Sequence, residues 1–286
     1  MDQRKPMRRT YRTVWVSDTH LGTKEARTDF LLDFLGAIEC ERLYLVGDIF
    51  DLWSMHRAVC WDRCHNELLR RVLEMTAGGT RVIYIPGNHD ALLRDHAGLD
   101  FGRITVRREA IHTTGDGRRL LVIHGDEFEA AVQCGNLGGL IGSTAYDWLL
   151  RFSHWVYLMR RRLGLSYWSL AAYLKGRVSG ATAYIERFQQ AVLREVRHRQ
   201  VDGLVCGHIH RATVTELDGF LYANTGDWVE SCTALVEHEN GALELLHWSD
   251  HRYQVDYRPP TRAGDAAETV CQIAPQPAKK RVHPIH

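Results

Sequence analysis

Five short motifs in the sequence combine glycine with aspartate, asparagine and histidine: Asp18-Thr19-His20, Gly47-Asp48, Gly87-Asn88-His89-Asp90, His124-Gly125-Asp126 and Gly207-His208-Ile209-His210. Carboxylate, amide and imidazole groups without a thiolate suit Mn²⁺, Fe or Zn²⁺ better than copper, and the hard oxygen contribution favours Mn²⁺, with Mg²⁺ also open. Asp18, His20, Asp48, Asn88, His124, His208 and His210 are too many donors for one four-coordinate ion. They fit two divalent metal ions sharing a carboxylate, an arrangement that clamps both oxygens of an in-line phosphoryl displacement. A single histidine after a strand is usually a satisfied loop or core residue. Five such motifs, each at the end of an apolar run, are not explained that way.

The elements that must position these residues can be read from periodicity. Apolar runs at 13–17, 43–46, 82–85, 119–123 and 203–206 each lead into one motif, and helical spacing follows at Phe30, Leu31, Phe34 and Ile38 and again at Leu68, Leu69, Val72 and Met75. Strands alternating with helices predict βαβ units and a mainly parallel sheet, with ligands gathered at the carboxyl ends of the strands. In extended backbone, residues i and i+2 point the same way, so Asp18/His20 and His208/His210 are each expected to present two groups to one point. A hairpin is expected at Gly115-Asp116-Gly117, with runs at 104–111 and 119–123 on either side. Short strands at 213–217, 220–223, 231–236 and 242–248 predict an antiparallel carboxy-terminal half. The expected domains are a core of residues 12–141 and 201–250, a helical insertion at 142–200, and an aperiodic extension at 251–286 that reads as a disordered tail.

Composition narrows the class. Apolar residues make up 45% and charged residues 25%, so disordered, collagen-like and disulfide-scaffold chains are excluded. Lysine plus arginine number 36 against 35 acidic residues, which gives no whole-protein argument for binding nucleic acid or membrane. No run reaches the roughly 18 apolar residues of a spanning helix. The basic amino terminus lacks a signal-peptide pattern, and the odd count of seven cysteines favours free thiols, so a cytoplasmic location is expected. Cys60, Cys64 and His65 lack the second cysteine pair of a structural zinc site.

The insertion carries ten basic residues against three acidic ones and is dense in tryptophan and tyrosine. One account is a helical pair packed on the core with a solvated basic rim. The sharper account is a cap whose apolar face receives acyl chains while its cations meet phosphates or an anionic bilayer, with Arg151, Trp155, Arg160, Arg161, Lys175 and Arg177 as candidate substrate contacts.

The motifs in this order resemble those of the calcineurin-like metallophosphoesterases. Leu45-Val46-Gly47-Asp48-Ile49-Phe50-Asp51-Leu52-Trp53, His124-Gly125-Asp126 and the helical insertion are similar to the UDP-2,3-diacylglucosamine pyrophosphatases. The chain departs from the best-known members in having His89 where they have arginine. The resemblance implies an α/β fold, the four-layer αββα metallophosphoesterase sandwich with a cap. It also implies one metal held by Asp18, His20, Asp48 and His210 and another held by Asp48, Asn88, His124 and His208. His89 would protonate the departing oxygen or stabilise charge on the equatorial oxygens, and Asp90 would fix its tautomer. The implied substrate is a phosphate-containing small molecule or a lipid-linked nucleoside diphosphate, cleaved to UMP and an acylated sugar phosphate. Peripheral contact with an anionic membrane goes with that reading, and no dedicated nucleic-acid partner is expected. A generic phosphodiesterase or nuclease is the rival reading. A non-enzymatic scaffold is disfavoured by the complete ligand set, and the oligomeric state is left open.

Overall fold

The computed structural model describes residues 8–128 and 179–248. In chain order it contains β1 (Arg9–Val16), α1 (Thr28–Ala37), β2 (Ile38–Val46), α2 (Leu52–Met55), α3 (Arg63–Ala77), β3 (Arg81–Ile85), β4 (Asp100–Phe101), β5 (Ile104–Val106), β6 (Ala110–Thr113), β7 (Arg119–Val122), α4 (Ser179–Arg199), β8 (Gly203–Cys206), β9 (Thr213–Leu217), β10 (Phe220–Asn224), β11 (Thr233–Glu237) and β12 (Leu243–His247), with 3-10 turns at Ala91–His96 and Asp126–Phe128. Seven strands form one sheet in the order β12-β11-β1-β2-β3-β5-β4, and five form another in the order β6-β7-β8-β10-β9.

Three apolar clusters separate the layers. Phe30, Leu31, Phe34 and Leu35 of α1 and Leu68 and Met75 of α3 pack with Val14, Val16 and Leu43 on one face of the seven-stranded sheet. Alternate residues of the same strands, Trp15, Tyr44, Val46 and Ile85, meet Leu120, Val122, Val205 and Ala223 of the other sheet. Phe188, Val192 and Val196 of α4 cover the outer face of the five-stranded sheet with Leu121, Leu204 and Tyr222. The result is the four-layer αββα arrangement. Each fully buried large side chain in these clusters contributes about 1.5–3 kcal/mol, and truncating Phe34 to alanine is expected to cost about 3–5 kcal/mol. Helix α3 begins in a capping box, with Asp62 accepting the His65 N–H and the His65 ring meeting the Asp62 backbone N–H.

Register brings the motifs to one edge. Parallel pairing sets Val16 opposite Leu45 and Val46 opposite Ile85, so the chain leaves β1, β2 and β3 at one level. Val122 pairs with Val205 in the second sheet, and β7 and β8 leave together.

Several details differ from the sequence reading. The 104–111 run is two strands in different sheets, because the chain crosses from β5 to β6 at Arg107 to Glu109. The carboxy-terminal half is mixed rather than antiparallel, since β8 pairs in parallel with both β7 and β10. Residues 179–199, read as part of the insertion, form an outer layer of the core. Arg151, Trp155, Arg160, Arg161, Lys175 and Arg177 lie outside the described residues, as does the 251–286 extension. His65, beside Cys60 and Cys64, is occupied by Asp62 at 2.7 Å and Thr28 at 3.2 Å. No helix among the described residues is long and apolar enough to cross a membrane.

Candidate metal centre

Sheet-like hydrogen bonding continues beyond the strands into the motif loops. Asp18 N–H donates to the Gly47 carbonyl at 3.0 Å, His20 N–H to that of Asp48 at 2.9 Å, and Gly207 N–H to that of His124 at 3.0 Å. The backbone there is not extended. Asp18, His20, Asp48, His208 and His210 have φ of 50°, 46°, 52°, 68° and 52°, and they are five of the eight non-glycine residues with positive φ among those described. Left-handed backbone costs on the order of 1 kcal/mol or more per residue and gathers where function over-determines geometry. The expectation that extended i, i+2 pairs aim the ligands is therefore corrected: the i and i+2 residues that aim them are themselves left-handed. Gly47 (φ +75°) must lack a side chain, since a Cβ would fall on the His124 ring.

The turns bring together six of the seven expected ligands in two groups. Asp18, His20 and His210 form one, and Asp48, His124 and His208 form the other. Asp18 Oδ1 lies 3.2 Å from His210 Nε2, and Asp48 Oδ2 lies 3.3 Å from His124 Nε2. Asp48 Oδ2 is also 4.0 Å from His20 Nε2, so this one carboxylate reaches both groups. Asn88, the seventh, has its Oδ1 buried with no hydrogen bond, and Asp18 Oδ1, His20 Nε2 and His124 Nε2 share that condition. An unsatisfied buried polar atom costs about 1–3 kcal/mol. Oxygen and nitrogen lone pairs left bare in one cluster are the donor set that divalent cations satisfy.

The electrostatics agree. Burial opposes charge on Asp18, but the neighbouring His210 and His124 outweigh it and bring its pKa down to about 2. Burial would likewise depress His124, yet Asp48 and then Asp18 raise it to about 10. His208 is pushed down to about 4 by burial and by the charge of His124. The carboxylates thus draw positive charge onto His20 and His124, while His208 is held neutral.

His89 lies beside the groups, its ring Nε2 3.9 Å from Asp48 Oδ2 and its backbone N–H donating to Asp48 Oδ1 at 2.8 Å. The expected partnership with Asp90 is not found. Asp90 is fully buried and accepts the N–H groups of Asp48, Ile49, Phe50 and Gly87 and the Tyr84 hydroxyl, so its carboxylate fastens the Asp48 turn. The carboxylate at the His89 ring is that of Asp51, with Oδ1 3.0 Å from Nδ1, and Oδ2 of the same residue lies 3.1 Å from His20 Nδ1. Trp53, 58% exposed, lays its indole against His89 with ring centroids 4.6 Å apart. Sequence motifs alone give neither Asp51 nor Trp53 a role. The available signal was a second aspartate three residues after Asp48, at the start of a short helix.

A two-sheet αββα core carrying these motifs at its strand ends defines a phosphoesterase, and the model of the family described as Calcineurin-like phosphoesterase matches residues 11–212, so the chain belongs to that family. It is a phosphoester or pyrophosphate hydrolase of a family that uses divalent metals. Among curated relatives it is 27% identical over 212 residues to the UDP-2,3-diacylglucosamine hydrolase of Shigella sonnei (strain Ss046), covering 72% of this chain and 84% of that one. It is 24% identical over 250 residues to the enzyme of the same name from Haemophilus influenzae (strain PittGG), covering 82% and 98%. A crystal structure of Vps29 from Entamoeba histolytica is 13% identical, covers 82% of this chain and 97% of that one, and has a TM-score of 0.39, too low to bear on the argument.

Proposed function

We propose that this hydrolase uses two divalent ions, Asp18, His20, Asp48 and His210 holding one and Asp48, Asn88, His124 and His208 the other. The observation that supports the reading is the position of Asp48, whose Oδ2 lies 3.3 Å from His124 Nε2 and 4.0 Å from His20 Nε2, beside the buried Asp18 Oδ1, His20 Nε2, Asn88 Oδ1 and His124 Nε2 that have no hydrogen bond. Mn²⁺ is the metal the donor set favours. When bound, such ions supply a water of lowered pKa and polarise phosphoryl oxygens. The chain supplies the rest. Left-handed turns fix the donors before substrate arrives, so little reorganisation remains. Protonated on both ring nitrogens, His89 would give the Nε2 proton to the leaving oxygen, with the Asp51 carboxylate, its Oδ1 3.0 Å from Nδ1, offsetting the imidazolium charge and orienting the ring. Trp53 covers one face of that ring.

The substrate we infer is a lipid-linked nucleoside diphosphate of the UDP-2,3-diacylglucosamine type, cut at the pyrophosphate bond to UMP and an acylated sugar phosphate. The names of the two relatives and the basic, aromatic composition of 142–177 support it. Peripheral, salt-sensitive contact with anionic lipid belongs to the same reading. Turnover of UDP-2,3-diacylglucosamine, deacylated UDP-glucosamine and bis-p-nitrophenyl phosphate tests it side by side. Each buried methylene contributes about 0.8 kcal/mol, so shortening the acyl chains by several carbons is expected to weaken capture more than changing the nucleobase. Equal efficiency on all three compounds would replace this reading with a generic phosphodiesterase.

A further inference from the structure

A histidine that ligates through one ring nitrogen needs an acceptor at the other, which fixes its tautomer. His20 Nδ1 has Asp51 Oδ2 at 3.1 Å, and His124 Nδ1 has the Val46 carbonyl at 3.1 Å. His210 turns Nε2 to Asp18 Oδ1 at 3.2 Å, while its Nδ1 is buried without a hydrogen bond, 3.9 Å from Asp227 Oδ2. We propose that Asp227 is the positioning residue of His210: its Oδ2 takes the Nδ1 proton and leaves Nε2 bare toward Asp18 and His20. This rests on the reading of His210 as a ligand through Nε2.

Asp227 is fully buried, and its two oxygens have separate partners. Oδ1 accepts the backbone N–H groups of Val229 at 2.9 Å, of Glu230, and of Ser231 at 3.0 Å, closing the turn before β11. Oδ2 accepts the Ser231 hydroxyl at 2.6 Å, which leaves a lone pair for a second donor. A turn of this kind needs one oxygen, which asparagine or serine also supplies. A buried charge is costly and calls for a further use. The surrounding loop touches both backbone stretches concerned, since Trp228 N–H donates to the Asp18 carbonyl at 3.0 Å and Asn224 Nδ2 donates to that of Gly207 at 2.5 Å. Bringing Oδ2 to hydrogen-bond distance from Nδ1 takes a shift of about 1 Å.

Asp227→Asn separates the two duties. The amide keeps a carbonyl oxygen for the turn but sets an NH₂ donor toward Nδ1, which selects the Nε2–H tautomer and blocks that nitrogen. In chelator the variant is expected to unfold within a few degrees of wild type. When metal-free protein is titrated with Mn²⁺ by calorimetry, one of two sites is expected to weaken roughly 10- to 100-fold. Ser231→Ala, which retains the carboxylate, keeps both sites. Wild-type affinity at both sites in Asp227→Asn overturns the proposal. His210→Ala distinguishes the two levels of the argument. If it loses one site and Asp227→Asn loses none, the role of Asp227 fails; if it also keeps both, His210 is no ligand and the reading beneath fails with it.

Discussion

Asp51 stands between two imidazoles, with Oδ1 3.0 Å from His89 Nδ1 and Oδ2 3.1 Å from His20 Nδ1. The same carboxylate caps α2 by accepting the Ser54 N–H at 2.8 Å, and α2 carries Trp53 onto His89. One buried residue thus ties a candidate ligand, the candidate acid and the aromatic wall beside it. Burial works against its charge, and the two histidines prevail, holding its pKa well below the usual carboxylate range.

If His89 serves the leaving group, His89→Ala is expected to keep both metals and lose roughly 10²- to 10⁴-fold in turnover. A substrate with a very acidic leaving group should recover part of that loss, because it needs less protonation. Elemental analysis of the purified variant checks the first point. Loss of metal there would move His89 from acid to ligand.

A Cβ at position 207 would fall on Asp18 Oδ2 and Ser17 Oγ. Gly207→Ala is therefore expected to fold, since Gly207 is not among the positive-φ residues, yet to hold metal at least tenfold more weakly because Asp18 must move. Calorimetric titration of the metal-free variant reads this directly, and an unchanged affinity would show that the packing is looser than the geometry requires.

Much of this was legible from residue order. Apolar runs ending in Asp, Asn and His located β1, β2, β3, β7 and β8, and parallel pairing explains why their ends meet. What periodicity does not encode is the path just after a strand. Nothing in Asp18-Thr19-His20 announces left-handed backbone, and periodicity alone predicts an extended segment there. Asp90 and Asp51 are each short acidic residues near His89, and only the fold shows that one faces the backbone amides of the Asp48 turn and the other faces the ring. Helix α4 is amphipathic whether it serves as a cap or as a core layer, and only the fold shows Phe188, Val192 and Val196 on the five-stranded sheet.

Far from the metal centre, Glu237 and His112 are both buried between the sheets, 2.9 Å apart, with Tyr44 OH 3.3 Å from the other ring nitrogen. Burial opposes the Glu237 charge, but His112, Thr13 and Gly115 overcome it and lower its pKa. A lowered carboxylate stabilises the fold above its unfolded value, and that contribution is lost as pH falls through the folded value. Glu237→Gln is accordingly expected to cost about 3 kcal/mol at neutral pH, with the gap from wild type narrowing below about pH 4.5. Denaturant melts at pH 7 and pH 3.5 test the sign. A gap that widens on acidification would contradict it.

The central claim, two ions sharing Asp48, is tested most directly by counting metal and activity in Asp48→Ala. Wild type reconstituted with Mn²⁺ is expected to bind two ions per chain, to lose hydrolysis of a generic phosphodiester on chelation and to regain it when Mn²⁺ is restored. Asp48→Ala should lose more than any other ligand variant, because both groups lose a contact. Full activity of Asp48→Ala in the presence of chelator would contradict the account.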